Sequence, residues 1–149
     1  EHKQLPRDEY GVEDEWPVIA EPFLQWVIED TFVAGRPQWE HAMPSDVLVT
    51  NNVEPYELMK LRLLNSAHSA LSYAAMLCDH IHVDSALSDP DVFAYLRAYM
   101  SEVVKTLEEV QGVDLAEYQR SLLERFSNTY IKDKLSRLAQ DGSQKVMNT

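Results

Sequence analysis

Glycine is scarce and scattered, with four residues at positions 11, 35, 112 and 142 of a 149-residue chain. No G-x-G-x-x-G or G-x-x-x-x-G-K-[ST] loop can be built from them, so the chain carries no phosphate-cradling loop of its own. A G-x-S-x-G nucleophile elbow is missing as well. Cysteine occurs once, at Cys78, which excludes an internal disulfide. In its helical setting it reads as a small buried hydrophobe. Positive charge is in deficit. Thirteen Lys and Arg stand against 25 Asp and Glu, a formal net charge of −12. Nucleic acid and anionic membranes both require a basic surface, so neither is expected as a partner. No uninterrupted apolar stretch is long enough to span a bilayer. The opening residues, EHKQLPRDEYG, lack the pattern of a secretory signal. A reducing, cytoplasmic setting is the default expectation. His80 and His82 form an H-x-H pair, but no closing ligand pair follows at a recognised spacing, so no metal is expected.

What is present suits one domain of ordinary size, since 45% of the residues are hydrophobic, enough for a packed core. Residues 1–15 are polar and read as a loop. Pro17 and Pro22 interrupt any helix in the segment that follows, and Phe23, Trp26, Val27 and Ile28 favour extended backbone. Strands are expected over 24–29 and over Val47–Thr50, a pair too small to form a stable sheet alone. From Pro55 onward the pattern is helical. One helix is expected over 55–79. A second is capped by Asp89, opens at Pro90 and runs to Gly112. A third opens at Asp114 with Glu117 three residues on, and a short fourth carries Ile131, Leu135 and Leu138 and stops at Asp141-Gly142. The fold class is therefore mainly α, with one or two short strands preceding a bundle-like set of helices. Met43, Met59, Met76 and Met100 read as core filler, and the three tryptophans as anchors of the N-terminal segment.

The chemistry concentrates in the leucine-rich run PYELMKLRLLNSAHSALSYAAML. On a regular helix, at about 100° per residue, Lys60, His68 and Asn65 fall near 0°, 80° and 140°, and Glu57 near 60°. These polar groups are costly to bury without purpose. A desolvated Lys60 could accept a hydroxyl proton while Asn65 and His68 donate hydrogen bonds to the oxygen on which charge develops. The alternative is a structural helix with snorkelling Lys60 and Arg62, an internal histidine and an i,i+3 pair of Glu57 with Lys60. A second candidate is RLAQDGSQK, where Arg137 and Lys145 flank a tight turn. They could contact substrate hydroxyls, or Arg137 could simply satisfy helix-terminal carbonyls.

Three segments, EPFLQWVIEDTFVAGRPQWE, PYELMKLRLLNSAHSALSY and RFSNTYIKDKLSRLAQDGSQK, together resemble the long-chain polyol dehydrogenases, and most closely the mannitol 2-dehydrogenases. The K-x-x-x-x-N-x-x-H pattern is the most specific element, and the resemblance runs from about Tyr10 to Lys145. It implies a Rossmann-type nucleotide-binding domain followed by a helical domain, with a metal-independent active site between them. Residues 1–52 would then be the tail of the nucleotide-binding domain and 53–149 the first part of the helical one. By the same resemblance Lys60 is the general acid/base, Asn65 polarises the carbonyl oxygen and His68 positions the substrate. Glu57 matches a proton-relay carboxylate, and Arg137 and Lys145 match positions that contact the polyol chain. The family usually reads L-N-G-x-H or L-N-x-G-H, whereas this chain reads LNSAH, with Ser66 and Ala67.

The implied activity is NAD-dependent interconversion of D-mannitol and D-fructose in a longer parent enzyme. NADP remains open as the cofactor. The implied partners are the polyol or ketose and the remainder of the polypeptide, and the isolated chain is expected to be inactive. A hexuronate reductase acting on fructuronate or tagaturonate is the alternative within the family. A non-catalytic helical interaction module is the alternative outside it.

Overall fold

The computed structural model describes residues 8–18, 20–142 and 145. The fold is mainly α, as expected, with two short strands. β1 (Trp26–Glu29) and β2 (Val47–Thr50) pair in parallel, with Trp26 opposite Val47 and Glu29 opposite Thr50. β2 has the expected bounds, and β1 begins two residues later than expected. Parallel pairing needs a crossover. Residues 30–46 supply it and include a one-turn helix, α1 (Trp39–Ala42), which the sequence pattern did not reveal. Arg36 braces the crossover, donating to Glu40 at 2.8 and 2.9 Å and to Asp30 at 3.1 Å. Trp39 packs against Trp26 with ring centroids 5.1 Å apart and the planes tilted by 41°, so two of the three tryptophans do anchor this segment.

The long run predicted over 55–79 is helical in three consecutive parts. They are α2 (Glu54–Met59), a π-helical segment (Lys60–Asn65) and α3 (Ser66–Leu77). Proline in the first turn and Glu54 and Glu57 beside the N-terminus favour this start. The π segment was not anticipated, and Ser66 gives it a local rationale. The Ser66 N–H reaches back five residues to the Leu61 carbonyl. That leaves the Arg62 carbonyl without its usual amide partner, and the Ser66 hydroxyl donates to it instead.

Beyond it, α3 presents Ala67, Leu71 and Ala75, all fully buried, at i, i+4 and i+8. Their small side chains let α5 (Pro90–Val104) and α7 (Leu135–Leu138) pack close against α3. Leu96 and Met100 of α5 and Leu135 of α7 complete the centre of the core. The serines on α3 are buried without loss. Ser72 donates to the Ser69 carbonyl at 2.9 Å, and Ser69 donates to that of Asn65 at 3.3 Å.

Asp89 caps α5 as expected, accepting from the Asp91 and Val92 amides. The helix ends at Val104, however, and not near Gly112. Successive i,i+3 bonds from Lys105, Thr106 and Leu107 tighten the chain out of the helix. The Tyr56 hydroxyl then holds the Gln111 carbonyl at 2.8 Å, so Val110 is buried from a loop. A tertiary contact overrides the helical spacing there. α6 (Leu115–Phe126) starts as expected, with the Asp114 carboxylate accepting from the amides of Ala116 and Glu117. Tyr118, Leu122 and Phe126 face inward.

A five-residue helix, α4 (Val83–Leu87), was missed in the sequence. It follows an isolated antiparallel bridge between His82 and Lys134, flanked by bonds from the Val83 amide to the Asp133 carbonyl and from Leu135 to Ile81, both 3.0 Å. Ile131 lies ahead of α7, outside it. Two burial expectations fail at the end of α3. Cys78 and Met76 are exposed, because the last turn of α3 projects past the core, and Leu77 is 87% exposed beside them. Met59 and Met100 are core residues as expected, while Met43 is only half-buried. Among the described residues no helix is long and apolar enough to cross a membrane.

Candidate active site

The π segment begins at Lys60 and ends at Asn65. In an α-helix residues four apart are neighbours because their backbones are hydrogen-bonded. An i→i+5 turn places residues five apart one above the other in the same way. Lys60 and Asn65, about 140° apart on a regular helix, therefore become neighbours on adjacent turns. His68 follows Asn65 at i+3 on α3, and Glu57 precedes Lys60 at i−3 on α2, each again a neighbour on its helix face. One widened turn aligns all four residues of the sequence motif in a row.

Their environments differ along that row. Glu57 and Lys60 are exposed, while Asn65 and His68 are half-buried. The expectation of a desolvated Lys60 is thus not met by the residues described here. His68 is the perturbed group. Burial pushes its imidazole down to about 4, an effect that the nearby Asp133 carboxylate opposes and that Arg137, Arg125 and Lys145 reinforce. The ring stacks on Phe126 of α6 with centroids 4.4 Å apart. At neutral pH His68 is therefore an uncharged imidazole, able to donate from one ring nitrogen and accept at the other.

His68 opens on a cavity of about 320 Å³, lined also by Glu21, Arg125, Phe126, Ile131 and Asp133. That volume lies at the small end of ordinary ligand sites. The 81–83 and 133–135 pairing brings Asp133 to its wall. Arg137, one helical turn on, donates through Nε to Asp133 Oδ1 at 2.8 Å and pairs through Nη2 with Oδ2. Its guanidinium holds the Asp133 carboxyl below the usual carboxylate range. Arg137 thus serves a carboxylate and not the helix-terminal carbonyls. Lys145 takes a carbonyl, donating from Nζ to Leu138 at 3.2 Å. Both cations lie close enough to His68 to shift its titration. Three site residues chosen from the sequence, His68, Arg137 and Lys145, therefore share one electrostatic neighbourhood, while Lys60 and Asn65 lie nearer the N-terminus of the same long helix.

Glu21, Arg125 and Asp133 were not singled out in the sequence. Arg125 on α6 pairs with Glu21 across 104 positions of chain, through Nε at 2.9 Å and Nη2 at 2.6 Å. No local pattern signals such a contact. For Asp133, the i,i+4 spacing to Arg137 was a usable signal.

The described residues build no phosphate cradle for a dinucleotide. Gly11, Gly35 and Gly112 adopt positive φ in three separate turns and cannot form one phosphate cradle. The α5 and α6 N-termini, natural anion sites, are occupied by the carboxylates of Asp89 and Asp114. Nor do any three or more His, Cys, Asp or Glu side chains among the described residues cluster as a metal site would require. His80 hydrogen-bonds to Asp89 at 3.2 Å.

The family model for the mannitol dehydrogenase C-terminal domain matches residues 52–149. The chain belongs to the mannitol dehydrogenase family. It is 46% identical over 140 residues to mannitol dehydrogenase 2 of Saccharomyces cerevisiae, an alignment covering 93% of this chain and 27% of the yeast protein. It is 44% identical over 147 residues to a mannitol 2-dehydrogenase of Phaeosphaeria nodorum, covering 98% and 26%. Among solved structures it superposes on the Pseudomonas fluorescens mannitol 2-dehydrogenase, seen as a ternary complex with NAD and D-mannitol. The TM-score is 0.84 at 47% identity, with coverage of 97% of this chain and 29% of that one. A substrate-free D-sorbitol dehydrogenase gives a TM-score of 0.87 at 35% identity, covering 96% and 29%. This chain thus spans under a third of the length of each of these relatives and solved structures.

Proposed function

We propose that this chain is the proton-transfer and substrate-binding part of a cytoplasmic, NAD-dependent mannitol 2-dehydrogenase that interconverts D-mannitol and D-fructose. In this reading residues 1–52 belong to the nucleotide-binding domain and 53–149 to the helical substrate domain. The observation that carries it is the π turn, which converts the spacing K-x-x-x-x-N-x-x-H into a row of neighbours on one helix. Such turns recur at functional sites because a regular helix would be the more economical backbone. NAD supplies the hydride acceptor in the parent enzyme, and the residues described here build no phosphate cradle for it.

What this chain supplies is proton and hydroxyl chemistry. Lys60 takes the C2 hydroxyl proton of the polyol as the ketone forms, and returns it in the reverse direction. Asn65 donates a hydrogen bond to the oxygen on which charge develops. His68, held neutral by burial, accepts from or donates to a substrate hydroxyl without adding charge. Glu57, one turn before Lys60, passes the Lys60 proton to solvent, a role its exposure suits. Arg137 and Lys145 bind hydroxyls at the far end of the sugar chain. The exposed Lys60 makes one demand on the parent enzyme, which must desolvate it with surfaces other than those described here before it can act as a base.

The test is hydride transfer by the full-length enzyme, followed through nicotinamide absorbance with D-mannitol and NAD and in reverse with D-fructose. Lys60→Ala is expected to lower kcat by about 10²–10⁴-fold, with partial recovery on adding small primary amines. Unchanged turnover in that variant rules out Lys60 as the base.

A further inference from the structure

The mechanism above gives no task to Asp133, a carboxylate in the wall of the His68 cavity. Its backbone is pinned. The Val83 amide donates to the Asp133 carbonyl at 3.0 Å, and the next residue, Lys134, bridges to His82. Arg137 follows one turn later on α7. Its Nε and Nη2 donate to the two oxygens of the Asp133 carboxylate. The Asp133 side chain is 22% exposed and that of Arg137 65%. An exposed i,i+4 ion pair adds little to stability, so the fold alone is a weak account of this pairing.

Its effect on Arg137 is geometric. A guanidinium carries five N–H donors in one plane, and Asp133 engages two of them along the side edge, leaving three on Nη1 and Nη2. One N–H of each runs parallel along the end edge, a pair suited to hydroxyl oxygens. Nη1 has no hydrogen-bond partner among the described residues, and the exposed side chain lets a ligand approach. An unrestrained arginine samples many rotamers, and fixing it on binding costs affinity. Pairing with a carboxylate already fixed in the cavity wall removes that cost before a ligand arrives. Arg137 also lies near enough to bear on the His68 imidazole, so the held fork and the imidazole belong to one site.

The structure assigns Asp133 the role of a positioning residue: by gripping the side edge of the Arg137 fork, it presents the free edge to hydroxyls of the polyol or ketose bound beside His68. This inference rests on the dehydrogenase reading above and deepens it, since it explains how an arginine already in an ion pair still binds substrate.

The experiment measures kcat and KM for D-fructose in the full-length enzyme and in Asp133→Asn, Arg137→Gln, the double variant D133N/R137Q and Arg137→Lys, with Tm as the check on folding. R137Q removes the fork and is expected to raise KM by about 10-fold or more, the loss typical of a hydrogen bond to a charged group. The change should fall on KM and not on kcat, as for uniform binding. D133N releases the guanidinium and should raise KM by about 3–10-fold, the effect of having to immobilise one long side chain. Because Asp133 acts through Arg137, the double variant should have the KM of R137Q alone. A merely structural Asp133 would instead lower Tm and the active fraction, hence apparent kcat, and leave KM where it was. R137K keeps a cation for Asp133 but not the fork, and should also raise KM; it leaves Asp133 untouched and so decides the matter if D133N does not fold. A wild-type KM in folded D133N or in R137K, or a double variant whose KM is the product of the two single effects, overturns the inference. With R137Q impaired, those outcomes leave the dehydrogenase reading standing. Absence of fructose turnover in the unmodified enzyme overturns that reading, and the inference with it.

Discussion

His68 should make the stability of this chain depend on pH in a window where most carboxylates are silent. Its imidazole is pushed from an ordinary 6.5 down to about 4 by burial among α3, α6 and the 131–133 loop. Because the folded value lies below the unfolded one, the unfolded chain takes up a proton first as pH falls. No penalty exists above pH 6.5, where both states are neutral. Stability is then lost between about pH 6.5 and 4, and the loss is complete once the folded state is protonated as well. The depression corresponds to at most about 3 kcal/mol, a large share of the stability of a small domain. Asp133 acts lower on the scale. Its folded value is depressed, so the stability it contributes is lost only as pH falls below the ordinary carboxylate range. The assay is urea denaturation of the chain and of His68→Gln at pH 7.5 and 4.5, with the imidazole followed by NMR. The wild type should lose about 2–3 kcal/mol more than the variant over that interval. An imidazole titrating near 6.5, or equal losses in the two proteins, refutes the reasoning.

Three further outcomes are expected. Ser66→Ala removes the hydroxyl that serves the Arg62 carbonyl at the π turn and should cost about 1–2 kcal/mol; a melting temperature equal to wild type would show that the turn does not depend on this bond. Leu96→Ala, at a fully buried position between α5 and α3, should cost about 2–5 kcal/mol in urea denaturation, and a loss under 1 kcal/mol would place the core elsewhere. A strong zinc chelator should leave the activity of the full-length enzyme intact; a large loss would return His80 and His82 to consideration as metal ligands.

Much of the architecture could be read directly from the residues, because its causes are local. Asp89-Pro90 and Asp114 mark helix starts through carboxylates that reach their own backbone amides two and three positions on. VLVT at 47–50 reads as a strand from β-branched side chains alone. The motif residues Glu57, Lys60, Asn65 and His68 were visible as polar groups in a leucine-rich run, and the family resemblance rested on three segments of which K-x-x-x-x-N-x-x-H is the most specific part. The short helices α1 and α4 escaped because four or five residues hold too little periodicity.

What depended on distant partners could be settled only in three dimensions. Val110 keeps helical spacing, yet the Tyr56 hydroxyl holds the neighbouring Gln111 in a loop. Cys78 and Met76 follow an apolar pattern past the point where the core ends. The His68 cavity joins Glu21 to Arg125 and Val83 to Asp133 across long stretches of chain. The amino-acid order by itself determined which groups are available for chemistry and where most helices begin, since capping and side-chain periodicity act within a few residues. Tertiary structure decided which of those groups are dry, which are paired, and which face a common space, because desolvation and ion pairing depend on neighbours that the chain brings together only on folding.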